Sequence, residues 1–246
     1  MTPEPRWARW AIPAGALLGA LGWWLPWILP ERGAAALVLL GLDLGEFWKF
    51  TREWRLPAAG GIGLFEWERL FFFLPPPLAA MILALWLTGQ RGRARWLLLP
   101  LLLFLSLVIL PEYPKVQLAF DGVPFVYEQP DVRREFTFQL YLATASLLTI
   151  LLIPLWQRVR STVRHLLISS AGLLGAALPA WALWRTWLVL DGLYGGSALL
   201  GPGLLVTVAG FALVTFAALL PLLQGRIQAR RPYHHSKATG QRTLQR

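Results

Sequence analysis

Two carboxylates, Asp43 and Glu46, raise the question of chemistry, because they close the apolar run in GAAALVLLGLDLGEFWKFTREWR at 33–55. The other long apolar runs carry no acid in their middle, and an acid at the edge of hydrocarbon is costly unless it is paired or used. On a helix through 41–53, Asp43, Glu46 and Glu53 fall within roughly 80° of one another, while Gly41 and Gly45 form a GxxxG pair on the opposite side. The glycines allow close packing on a neighbouring helix and turn the acids toward a recess, the interface or a partner. Glu66 and Glu68, in FEWERLFFF, fall in the same layer just ahead of a triple proline. Asp43, Glu46, Glu66 and Glu68 together form a candidate external carboxylate cluster, because adjacent acids raise one another's pKa and suit proton transfer or cation binding. The plainer reading, which we favour, is an interfacial helix whose acids pair with Lys49, Arg52 or Arg69, plus helix-start acids at Glu66 and Glu68.

Other chemistry is excluded by composition. Cysteine is absent, which removes disulfides, thiolate metal sites and cysteine nucleophiles together. The three histidines, His165, His234 and His235, are too badly placed for a bis-histidine haem or an HExxH zinc site, so no metal and no cofactor is expected. Walker A loops, GxGxxG turns and serine hydrolase elbows are missing, and the glycines of YGGSALLGPG belong to an external loop and a helix start. No catalytic residue is assigned.

The elements that must position the acids are membrane helices. Hydrophobic residues make up 56% of the 246 and charged residues 15%, against about a quarter charged in a soluble domain. The sequence predicts an all-α integral membrane protein of about six transmembrane helices, with an extra interfacial or re-entrant helix after the first and a small external β-hairpin. Residues 1–224 form one polytopic domain, with helices at about 11–29, 75–89, 96–110, 136–156, 166–188 and 199–223 and the interfacial or re-entrant segment at 33–55. The external loop is 112–135, where Asp121-Gly122 between VQLAF and VPFVY signals a hairpin. Residues 225–246 are a basic, disordered cytoplasmic tail. Pro75, Pro76 and Pro77 cannot lie inside a straight helix and are placed at its start.

Charge placement gives the orientation. With six crossings and both termini cytoplasmic, 14 of the 23 basic residues lie inside with a single acid, Glu4, as the positive-inside rule requires. A seventh crossing at 33–50 is the alternative, but its ten or so apolar residues reach only about 15 Å across a core near 30 Å thick. The expected location is therefore the plasma or inner cell membrane, multi-pass. The partners expected are the lipid bilayer, anionic lipids at the basic cytoplasmic face, and another membrane or external protein, with no nucleic acid. Three functions stay open: a non-catalytic subunit or scaffold docking a partner through the external acid-rich layer, a transporter or permease component, and a membrane-embedded enzyme using carboxylates. The scarcity of polar groups at mid-helix favours the first.

Overall fold

A computed structural model describes residues 6–30, 38–47, 68–90, 94–110 and 130–229. The protein is mostly helical, with one small antiparallel sheet. In chain order the elements are α1 (Arg6–Trp23), β1 (Pro26–Pro30), β2 (Leu39–Leu40), α2 (Gly41–Phe47), a 3₁₀ helix (Glu68–Phe73), α3 (Pro75–Leu87), α4 (Ala94–Leu107), α5 (Pro130–Leu151), α6 (Ile153–Trp156), α7 (Ser161–Leu193), β3 (Ala198–Leu200) and α8 (Pro202–Ala229). Two helices, Ser161–Leu193 and Pro202–Leu223, are long and apolar enough to cross a membrane, and shorter apolar helices span Trp10–Trp23, Pro75–Leu87 and Leu97–Leu107.

The most extensive packing joins the first helix to the last. Gly15, Gly19 and Gly22 of α1 face Gly203, Thr207, Gly210 and Phe211 of α8, and the pairings run antiparallel, Gly22 against Gly203 and Gly15 against Gly210. A Cβ added at Gly15 would sit 2.6 Å from the Gly210 carbonyl oxygen, and one at Gly22 2.7 Å from that of Gly203. Small residues at this spacing bring two backbones together, which is how helices associate where apolar burial cannot distinguish a neighbour from its surroundings. Gly172 and Gly175 of α7 approach α8 in the same way, against Thr215 and Phe211.

α3 lies at the centre, buried on almost every side. The triple proline opens it and leaves three residues without an N–H, so the carbonyls of Phe71, Phe72 and Phe73 receive no helical donor four residues on. The chain answers locally and from afar. Leu74 N–H donates to Phe71 O at 3.2 Å, and the Trp23 indole N–H, at the end of α1, donates to Phe72 O at 2.7 Å. That second bond fixes the end of α1 beside the start of α3. At the other end of the two helices Trp10 meets Trp86 with ring centroids 5.9 Å apart, so α1 and α3 are antiparallel.

Several boundaries differ from the sequence expectation. The helix expected over 11–29 stops at Trp23, because Pro26 biases the residue before it away from helix, and PWILP continues as the central strand of a sheet ordered β2-β1-β3. The described fold is therefore helical with a sheet, built from three separated segments: Ile28 pairs with both Leu39 and Leu200. α5 starts at Pro130, so 130–135, assigned to the external loop, are helical; proline at the first helical position suits this start. α7 runs from Ser161 rather than 166, and α8 continues to Ala229, into residues assigned to the tail. The expected hairpin around Asp121-Gly122, the rest of 33–55 and the tail beyond 229 lie outside the described residues. After α7, Gly195 and Gly196 adopt φ of 64° and 76°, and Gly196 N–H closes onto Asp191 O at 2.8 Å, turning the chain into β3.

The seam predicts a contrast between two glycines on neighbouring helices. Gly210→Ala should lower stability by about 1–3 kcal/mol through overpacking. Gly192→Ala, where an added methyl meets nothing within 4 Å, should leave it unchanged or slightly raised. Thermal denaturation of both variants in detergent makes the comparison.

Candidate functional site

Charge gathers at the end of the bundle that carries the sheet. There Arg69, in the 3₁₀ helix, and Glu135, in the second turn of α5, form an ion pair through Nη1 and Oε2. Arg69 is 1% exposed and Glu135 4%, so both charges are out of water. Further polar contacts surround the pair: Arg69 Nη1 lies 3.4 Å from Gly45 O of α2, and Gln139 Nε2 lies 3.4 Å from Glu135 Oε1. Three elements that are remote in sequence thus meet on two side chains. Removing one partner from such a pair strands a buried charge, at a cost of about 3–5 kcal/mol, far more than an exposed pair contributes.

The two glycines of α2 determine how closely it docks. Gly41 lies against the Trp27 ring, where a Cβ would come within 2.6 Å of Nε1, and Gly45 lies against the Phe73 ring. Close docking is what brings the Gly45 carbonyl to Arg69. Asp43 is partly buried and accepts the Leu40 N–H through Oδ2 at 3.0 Å. Leu40 is the residue before the first helical turn, so Asp43 performs the back-reaching half of a capping box. It serves the start of its own helix.

Of the four candidate carboxylates, the side chains of Asp43 and Glu68 are described, and each meets a different partner. Glu68 stands 3.7 Å from Arg185 Nε of α7, a pair whose arginine is 48% exposed and which therefore contributes little. Arg69 reaches Glu135, an acid the sequence reading assigned to a loop and left out of the cluster. Glu66, Lys49 and Arg52 lie outside the described residues, as does the side chain of Glu46. The signal for Glu135 was available as the E-x-x-x-Q spacing to Gln139, one helical turn, but it needed the helix to start at Pro130.

Several hydroxyls elsewhere in the interior are bonded inward, whereas that of Thr207, buried in the α1–α8 seam, has no hydrogen-bond partner among the described residues. Ser106 Oγ and Ser146 Oγ lie 2.6 Å apart, joining α4 to α5, and Ser146 also approaches Pro77 O of α3 at 3.4 Å. The Thr149 and Thr186 hydroxyls donate to carbonyls one turn back on their own helices, Ala145 O and Ala182 O. Among the described residues no three metal-ligating side chains come together. No family model matches the chain, and neither curated proteins nor solved structures include a significant match to it.

Breaking the buried pair should show its character in a mutant cycle. Arg69→Met and Glu135→Leu should each destabilise by about 3–5 kcal/mol, and the double substitution by less than either alone, since no orphaned charge remains. Glu68→Gln should change stability by less than about 1 kcal/mol. Equilibrium unfolding in detergent measures all four, and equal losses for Glu68→Gln and Glu135→Leu would contradict the assignment.

Proposed function

We propose that this chain is a multi-pass protein of the cell membrane with six crossings and both termini cytoplasmic. On this reading it acts as a non-catalytic membrane subunit or scaffold, which docks a partner through the acid-rich layer at the sheet end. The distribution of side chains supports the membrane reading. Leu17, Leu21, Phe104, Leu148, Leu173, Trp184, Leu188 and Phe216 are exposed on the outer faces of five helices, while Ser106, Ser146, Thr186 and Thr207 are buried. A protein surrounded by water would leave an apolar surface of that extent uncovered, whereas lipid tails solvate it.

Six crossings agree with the course of the chain. Trp23 and Phe72 bond at the sheet end, and Gly41 and Gly45 of α2 lie there too, against Trp27 and Phe73. That placement of α2 suits an interfacial or re-entrant segment. The 3₁₀ helix and α3, laid end to end, cover about 32 Å, close to the thickness of the hydrocarbon core.

The observation that carries the scaffold reading is that the Ser106, Ser146, Thr149 and Thr186 hydroxyls and the Arg69–Glu135 pair make their hydrogen bonds within the protein, so among the described residues few polar groups are left to line a path for a solute. One feature favours a permease component as the second reading: the broken passage from Glu68 to Leu87, with charge beside the break, is an arrangement transporters use.

The absence of cysteine makes the topology directly testable. In intact cells a membrane-impermeant maleimide should label Ser197→Cys and leave Thr2→Cys and Ser161→Cys unlabelled until the membrane is opened. Labelling of Thr2→Cys from outside would establish seven crossings instead. For function, the chain purified in mild detergent should elute with a second protein at fixed stoichiometry, and reconstituted alone it should carry no solute flux. Thermal stabilisation of the lone chain by a small solute would favour the permease.

A further inference from the structure

The end of the bundle opposite the sheet handles charge differently. Arg164, in the second turn of α7, is partly buried and reaches across to α3, where its Nη1 donates to the Thr88 hydroxyl at the helix C-terminus. The last carbonyls of that helix each accept a donor from its own C-terminal turn. Thr88 Oγ1 donates to Leu85 O at 2.6 Å, Gly89 N–H to Trp86 O at 3.1 Å and Gln90 N–H to Leu87 O at 3.0 Å. Arg164 Nε is buried with no hydrogen-bond partner among the described residues, and so is Trp156 Nε1, on α6 against the same helix. A guanidinium offers five donors and no acceptor, in a fork that suits an anion brought alongside it.

The chain itself has almost no acid to offer on this side. Of its 13 acids only Glu4 falls in 1–10, 88–96, 157–165 and 224–246, the sequence segments that the six-crossing reading assigns to this side, against 14 arginines and lysines. Beside Arg164 the surface is open, polar toward the start of α7, where Arg160 and Ser161 are exposed, and apolar further along it, where Leu166 and Leu167 are 49% and 38% exposed. An anionic head with apolar tails fits this surface, the head at the guanidinium and the tails along the leucines.

We propose that Arg164, with Thr88 beside it, is a binding site for the phosphate of an anionic phospholipid in the cytoplasmic leaflet. The proposal rests on the membrane reading above and gives the general attraction of the basic face a specific seat. Arginine presents a fork of donors that matches phosphate oxygens two at a time, and basic positions between helices on the cytoplasmic side are suited to lipid heads.

The test titrates purified full-length protein with phosphatidylglycerol in a phosphatidylcholine background, reading bound lipid by native mass spectrometry and stability by thermal denaturation. Phosphatidylglycerol should bind and stabilise beyond phosphatidylcholine. Arg164→Gln should weaken that binding about tenfold, since a charge-assisted hydrogen bond is lost. Arg160→Gln, exposed and one turn away, should bind like the wild type. Unchanged titration by Arg164→Gln overturns the site, and stabilisation by inorganic phosphate equal to that by the lipid overturns the lipid as its occupant. Should Arg164→Gln not fold, the wild-type titration still decides, because equal binding of the two lipids removes the proposal. Release of the chain from membranes by alkaline washing without detergent would instead defeat the membrane reading itself.

Discussion

The fold depends on the close antiparallel approach of α1 and α8. Where lipid is the solvent, apolar side chains gain nothing by leaving it for a protein neighbour, so association rests on van der Waals contact between well-matched surfaces. Glycine at 15, 19 and 22 and at 203 and 210 supplies that contact by letting backbones touch. Because these helices are the first and last described in the chain, their seam closes the bundle around α3. The same two helices lead into β1 and out of β3, so the sheet at their end follows from the seam: β1 and β3 are held in register by the helices they extend.

α3 shows how a defect in one element is used by another. Three prolines begin it cleanly and remove three donors, and one of the carbonyls so exposed becomes the acceptor for the Trp23 indole. A residue pattern that breaks a helix therefore also supplies the tie between α1 and α3. The buried Arg69–Glu135 pair adds a second tie, joining the 3₁₀ helix to α5 and, through the Gly45 carbonyl, to α2. Such a pair adds little net stability compared with a well-packed apolar substitute, but it penalises every arrangement in which its partners are apart.

The two ends of the bundle treat cations in opposite ways. At the sheet end Arg69 is paired with Glu135 and Arg185 with Glu68, both within the chain. At the other end Arg164 meets a hydroxyl, and the acids that would balance it are absent from the flanking sequence. Under the lipid proposal above, the anions at that end come from the surrounding bilayer.

The sequence alone determined the apolar class of the chain, the helical character of most of it, the start of α3 at the prolines and the lopsided placement of acids and bases. Each of these is local: hydropathy, a ring that removes an N–H, or a count along the chain. The tertiary structure decided what depends on partners far apart. PWILP reads as the continuation of an apolar helix until Leu39 and Leu200 are seen on either side of it, and no local rule connects residue 28 with residue 200. Glu135 reads as the end of a loop until Arg69, 66 residues earlier, is found against it. The glycines of α1 and α8 look unremarkable in two separate runs, and only their juxtaposition makes a seam. Asp43 is the reverse case: the partner that the structure shows for it is Leu40, three residues away, in the turn that starts its own helix.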